Sequence, residues 1–213
     1  MRSQLRLAMN GVVSASMRAH GIHYKLNFGV SLPKVKEIAS QYTKDSVLAE
    51  RLWKEDVREL KIMATLLQPF EEFTPEQAER WVLDICYQEI AEQYCINLLQ
   101  HLSFAGTLAA GWILREERFM QVAGFLLYAR LFSRNLQLTP EQESVFLDAA
   151  RKAMDKGVSR SQRAAVSALK RYGRQSRQQA DNMLSFIADY ASSGSPEKQE
   201  FFNDIKFEFD YYF

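Results

Sequence analysis

Glycine and proline are scarce in this 213-residue chain, at 9 and 5 residues, and cysteine and histidine are scarcer, at 2 and 3. Few turn-formers beside plentiful Ala, Leu, Glu, Gln, Lys and Arg favour helix over strand. No alternating pattern is longer than the terminal KFEFDYYF, which reads as a short strand, as a helix end, or as aromatics packed on the last helices. No run of eighteen apolar residues exists, so a membrane-spanning helix is excluded. The basic N-terminus, MRSQLRLAMNGVVSASMRAHG, has no continuous apolar core. It is expected to form a first helix over residues 1–20 rather than a targeting peptide. Cys86 and Cys95 permit one disulfide, but buried thiols in a reducing cytosol are the preferred reading. His20 and His23 are three apart with no third ligand candidate nearby, so neither a metal nor another cofactor is expected.

What the chain does have is apolar periodicity. At 47% apolar and 25% charged residues it has the balance of a soluble globular protein, and its length suits one domain over residues 1–213. Residues 48–69, LAERLWKEDVRELKIMATLLQP, read as two helices joined at Lys54, Glu55 and Asp56. In the second, Val57, Leu60, Ile62, Met63, Leu66 and Leu67 form a broad apolar face, with Asp56, Glu59 and Lys61 placed off it. Such a pair cannot bury its faces alone and needs neighbours of the same kind. Helix starts recur: Ser31 with Pro33 in the first turn, Asp45, and the tetrapeptide TPEQ at both 74–77 and 139–142. Each TPEQ offers a Thr N-cap, Pro at N1 and a Gln that completes a capping box; Ser195-Pro196-Glu197 repeats the device. The two TPEQ starts are about two helix-pair periods apart. Further helical segments are predicted at 88–102, 105–116, 118–132, 160–172 and 176–191. The fold expected is all-α, an α-α superhelix (solenoid) of stacked helix pairs.

The formal net charge of +1 hides segregation. Residues 1–44 carry seven Lys and Arg against Glu37 alone, residues 45–110 five bases against twelve acids, and residues 151–177 nine bases against Asp155 alone. An anion-binding surface on an otherwise acidic body would produce this distribution, and so would basic faces that are simply solvated.

Arg51-Leu52-Trp53 followed by Glu59-Leu60-Lys61-Ile62-Met63-Ala64 resembles the segment "ALWxSxxxExKxLAxxLL" of the HEAT-like-repeat DNA alkylation repair family, the alkylpurine DNA glycosylases of the AlkC and AlkD type. Val30, Pro33, Val35, Ile38 and Ala39 are similar to that family's "GVxxPxLRxIAK", and the resemblance extends over roughly residues 10–176. It implies HEAT-like repeats and a soluble bacterial, cytoplasmic monomer that holds duplex DNA, alkylated or distorted, on a concave basic surface.

Excision of an alkylated purine needs stabilisation of positive charge on the sugar and a positioned water, because the base already leaves readily. The family's carboxylate lies in "WxxxDxxCxxLL". The stretch 88–99, QEIAEQYCINLL, is similar, with Ile90, Ala91, Tyr94, Cys95, Leu98 and Leu99 as the buried face. The resemblance puts Glu92 at the Asp position, as candidate catalytic carboxylate or as a solvated helix glutamate, and Gln88 at the Trp position. Against "WxRRxAxL", Phe119 takes the Trp position and the Arg falls on Gln121 or Val122, with Arg118 one turn back as substitute. Against "VxKAxxWALRxxGKxN", Arg163, Ala164, Ala168, Leu169, Lys170, Gly173 and Arg174 match and Ser167 replaces the Trp. The candidate DNA-binding residues are therefore Arg118, Lys152, Lys156, Arg160, Arg163, Lys170, Arg171 and Arg174. The expected function is DNA alkylation repair by duplex binding, with excision of alkylated purines through Glu92 left open by the residues themselves. The alternatives are a catalytically inactive member, or a HEAT-type protein-interaction scaffold for an acidic partner.

Overall fold

The computed structural model of the chain describes residues 1–117, 119–157 and 159–213. Its described residues form fourteen α-helices and one 3-10 turn, with an isolated parallel bridge between Leu26 and Val57. They divide into two compact units, Met1–Leu102 and Ser103–Phe213.

In the first unit the helix expected over residues 1–20 is two, α1 (Arg2–Leu7) and α2 (Gly11–Ala19). Asn10 causes the break. Its backbone is extended and its side chain accepts from the Val13 N–H as N-cap, while its own N–H donates to the Phe28 carbonyl. Gly29, at φ +68°, lies against this corner; a Cβ there would stand 2.2 Å from the Asn10 carbonyl oxygen. A long-range backbone contact thus overrides the local helical pattern.

Next come α3 (Leu32–Ala39), α4 (Ser46–Trp53), α5 (Arg58–Leu67), α6 (Pro75–Leu83) and α7 (Gln88–Asn97), the last continued by a 3-10 turn at Leu99–His101. The break at 54–57 falls as the sequence suggests. Asp45 caps α4, with its carboxylate 2.6 Å from the Leu48 N–H, and Thr74 and Gln77 complete a capping box. Ser31 stands at the N-cap of α3 without a side-chain hydrogen bond. Consecutive helix pairs are tied by groups 31 residues apart: Trp53 Nε1 donates to Asp84, and Trp81 Nε1 to Glu50. The two indoles stack at 4.4 Å. Cys86 and Cys95 are both free; Cys95 is buried as expected, but Cys86 is exposed, between α6 and α7.

Glu59 is not off the buried face, as its sequence position suggests. It has no exposed surface, and Arg58 keeps 2%. The Glu59 carboxylate accepts the Phe28 and Val30 N–H groups at 3.2 and 3.1 Å, and Arg58 Nη1 at 3.0 Å. Arg58 also donates to the Val30 carbonyl and, through two nitrogens, to Glu89 at 2.7 and 2.6 Å. Burial acts against the Arg58 charge, but the hydrogen bonds and charge of Glu89 and then Glu59 hold its pKa above the ordinary value. Every oxygen and nitrogen of the cluster that leaves water gains a charged or backbone partner, as buried charges require.

The second unit comprises α8 (Ala105–Trp112), α9 (Met120–Phe132), α10 (Pro140–Asp155), α11 (Ser159–Gly173), α12 (Arg177–Phe186), α13 (Ala188–Ala191) and α14 (Pro196–Tyr212). Thr139 and Gln142 form the second capping box. The terminal aromatics belong to α14 rather than a strand. Phe132, Phe146 and Tyr172 meet at ring separations of 5.0 to 5.7 Å, an edge-on cluster of the kind aromatic quadrupoles favour. α11 packs most extensively on α9 and also touches α10, α12 and α14.

Glu59→Ala leaves two backbone N–H groups and part of a guanidinium unpartnered in the core. It is expected to lower unfolding free energy by about 3–5 kcal/mol, read by urea denaturation, with Glu59→Gln less severe because one acceptor oxygen remains.

Candidate nucleic-acid interface

α11 is amphipathic, with Gln162 and Val166 buried at the edge of its core side. Ser161, Ala164, Ala165, Ala168, Leu169 and Tyr172 are buried, and at 3.6 residues per turn they share one side. Arg160, Arg163, Ser167, Lys170, Arg171 and Arg174 lie on the opposite side. Arg160 and Arg171 stand about 16 Å apart along the axis at 1.5 Å per residue, a length over which duplex DNA presents several phosphates.

The cations of this region fall into two groups. Lys152 on α10 and Arg163 and Arg171 on α11 are exposed and have no acid within ion-pair distance among the described residues. Arg160 is likewise exposed, with its guanidinium 5.6 Å from the Phe119 ring centroid, within cation–π range. The others have partners. Lys156 pairs with Glu116 at 2.7 Å. Lys170 pairs with Asp204 at 2.6 Å and Glu208 at 3.9 Å. Arg174 pairs with Glu208 and lies 4.9 Å from the Tyr212 ring centroid. Arg118 lies outside the described residues.

The acids of α14 were not visible in the basic run itself. A signal does exist: Glu197, Glu200, Asp204 and Glu208 recur at three- and four-residue steps, one face of a helix. Between α11 and the first half of α14, ending at the Lys170–Asp204 ion pair, lies a cavity of about 450 Å³, lined by Arg163, Ser167 and Lys170 of α11 and Glu197, Phe201 and Asp204 of α14. Ser167 is therefore half-buried beside this cavity.

Glu92 belongs to the first unit and the basic helix to the second. On α7, Ile90, Ala91, Tyr94 and Cys95 are buried, as are Leu98 and Leu99 after it, matching the face expected from sequence. Glu92 is half-buried and accepts a hydrogen bond from Gln88 Nε2 at 2.9 Å. No Lys or Arg among the described residues neutralises it. Gln121 donates to the Ile113 carbonyl at 3.1 Å, bracing the end of α8, and Val122 is buried. Neither presents a positive charge.

A family model described as DNA alkylation repair enzyme matches residues 1–198. The chain belongs to this family. Among solved structures, this family member is similar to one described as "a new family of proteins related to the HEAT-like repeat DNA glycosylases with affinity for branched DNA structures". The TM-score is 0.77 at 16% identity, covering 88% of this chain and 80% of that one. A designed armadillo repeat protein is also similar, with a TM-score of 0.39 at 12% identity, covering 83% of this chain and 92% of that one. The match at a TM-score of 0.77 shows that the all-α, HEAT-like fold expected from sequence is the fold observed. No match was found among the curated proteins. No helix among the described residues is long and apolar enough to cross a membrane.

Arg163→Ala and Arg171→Ala each remove an exposed cation without touching the buried side of α11. Each is expected to weaken duplex binding and to reduce the slope of log affinity against log salt by about 0.9, measured by fluorescence anisotropy across a salt series, with thermal stability unchanged.

Proposed function

We propose that this protein binds duplex DNA, alkylated or otherwise distorted, through the cationic side of α11 together with Lys152 of α10, with Lys156 at the end of that helix contributing where phosphate displaces Glu116. The observation that carries this reading is that Lys152, Arg160, Arg163 and Arg171 remain exposed, without acid partners among the described residues, while the opposite side of α11 is locked in the core. Phosphate recognition requires such charges and no particular base contact. Membership of the DNA alkylation repair family supports the same partner, and a match running across both units supports reading residues 1–198 as parts of one repeat domain. Affinity that stays flat as salt rises would instead favour a protein-interaction scaffold.

Base excision is the second reading, and one observation favours it. Glu92 is a half-buried carboxylate held by a neutral amide rather than a cation, so its negative charge is available to a developing positive one. The departures at Gln88, Gln121, Val122 and Ser167 favour binding without excision. Incubation with a duplex carrying alkylated purines discriminates. Excision through Glu92 predicts abasic sites with the native protein and a loss of roughly a hundredfold or more in Glu92→Gln, comparable to removal of one charge-stabilising group. A binding protein without excision predicts no abasic sites and unchanged affinity in the variant.

A further inference from the structure

α14 lies along the same side of α11 that the proposed function assigns to DNA. The two helices run parallel: Lys170 meets Asp204 and Arg174 meets Glu208 at the same offset of 34 residues, and Gly173 meets Phe209 next to the second pair. Carried back along both helices, that register sets Arg163 opposite Glu197 and Ser167 opposite Glu200 and Phe201; all of these line the cavity, and no ion pair joins Arg163 to Glu197 among the described residues. One half of the helix pair is thus closed by ion pairs and the other half is open. The closed half is anchored by Ile205 and Phe209, both buried. A Cβ at Gly173 would stand 2.2 Å from the Phe209 ring, so glycine makes the notch that admits it. At the other end Lys198 pairs with Asp155 of α10 at 2.6 Å. The family match ends at residue 198, so Glu200, Asp204 and Glu208 are outside it.

We propose that α14 is a tethered anionic competitor, whose Asp204 and Glu208 hold Lys170 and Arg174 against the DNA phosphates that the rest of α11 is free to bind. This rests on the reading of α11 as the duplex-binding surface. In the closed arrangement duplex DNA meets Lys152, Arg160, Arg163 and Arg171. Exchange of the α14 carboxylates for phosphates adds Lys170 and Arg174. The exchange conserves ion pairs, and partly exposed pairs of this kind are individually weak and screened by salt. The device therefore lowers affinity for isolated or weakly held duplex and admits DNA that engages the whole face.

The test compares the full chain with Asp204→Asn and with Asp204→Asn/Glu208→Gln for binding to one defined duplex across a salt series. Asp210→Asn is the control. Asp210 sits on the same helix but pairs only with Lys206 of that helix among the described residues, so the variant makes the same change of net charge away from α11. The expected result is binding at least about fivefold tighter at 0.1 M salt in the double variant, with a log–log salt slope steeper by about 2, one for each cation released. The Asp204→Asn protein should gain about half that slope, and its half-exposed side chain makes it a second variant whose fold is preserved if the double variant unfolds. Equal affinity and slope in native and Asp204→Asn proteins would overturn the competitor while leaving DNA binding intact. An equal gain in Asp210→Asn would also overturn it, because the effect would then be general charge. No salt-dependent duplex binding by any of the proteins would overturn the reading of α11 on which it rests.

Discussion

The second unit depends on one constraint: α11 must bury a side made largely of alanine. Ala164, Ala165 and Ala168 are small enough for α9 to approach closely, and Leu169 and Tyr172 complete the contact. Close packing penalises rotation of such a helix, because any turn about its axis opens voids or forces larger side chains inward. The side of the helix on which Arg160, Arg163 and Arg171 stand follows from that packing, and Arg160 also lies over the Phe119 ring. The proposed binding face is thus a by-product of core geometry, which is how a repeat scaffold holds charges rigidly at fixed spacing.

The first unit uses charge differently. Arg58, Glu59 and Glu89 are joined inside it, and the cluster connects the Phe28–Val30 backbone, α5 and the first turn of α7. A cluster of this kind adds little net stability relative to well-packed apolar side chains, but it is severe to break and it permits one arrangement of donors and acceptors. Through Glu89 it sets the position of the first turn of α7, the helix that carries Gln88 and Glu92. The protein therefore holds its candidate carboxylate by buried electrostatics and its basic face by shape.

Much of this was legible in the chain. The TPEQ starts at 74 and 139 became capping boxes because capping is a local matter of three or four residues. The joint at 54–56 and the buried face around Tyr94 and Cys95 followed from helical periodicity. The misreadings share a cause. The helix over residues 1–20 breaks because Asn10 bonds to Phe28, and Glu59 is buried because its partners are Phe28, Val30 and Arg58, with Glu89 completing the cluster. Helical spacing contains no term for contacts some twenty or thirty residues away. The same limit applied to the basic run, where Lys170 and Arg174 looked unopposed because Asp204 and Glu208 lie on a helix 34 residues further on.

The site positions are harder to read than the scaffold, since the family's aromatic and arginine positions are occupied here by Gln88, Gln121, Val122 and Ser167. Each has an ordinary structural setting in this fold: Gln88 bonds to Glu92, Gln121 braces α8, Val122 is core, and Ser167 edges the cavity. Shared scaffold with altered site residues separates fold from activity, and it places the weight of the account on where DNA sits. Amide hydrogen exchange with and without a saturating duplex measures this directly. Protection is expected to concentrate in Ser159–Gly173 and the C-terminal end of α10, and to be lost when salt is raised. Protection absent from α11, or confined to Met1–Leu102, would contradict it.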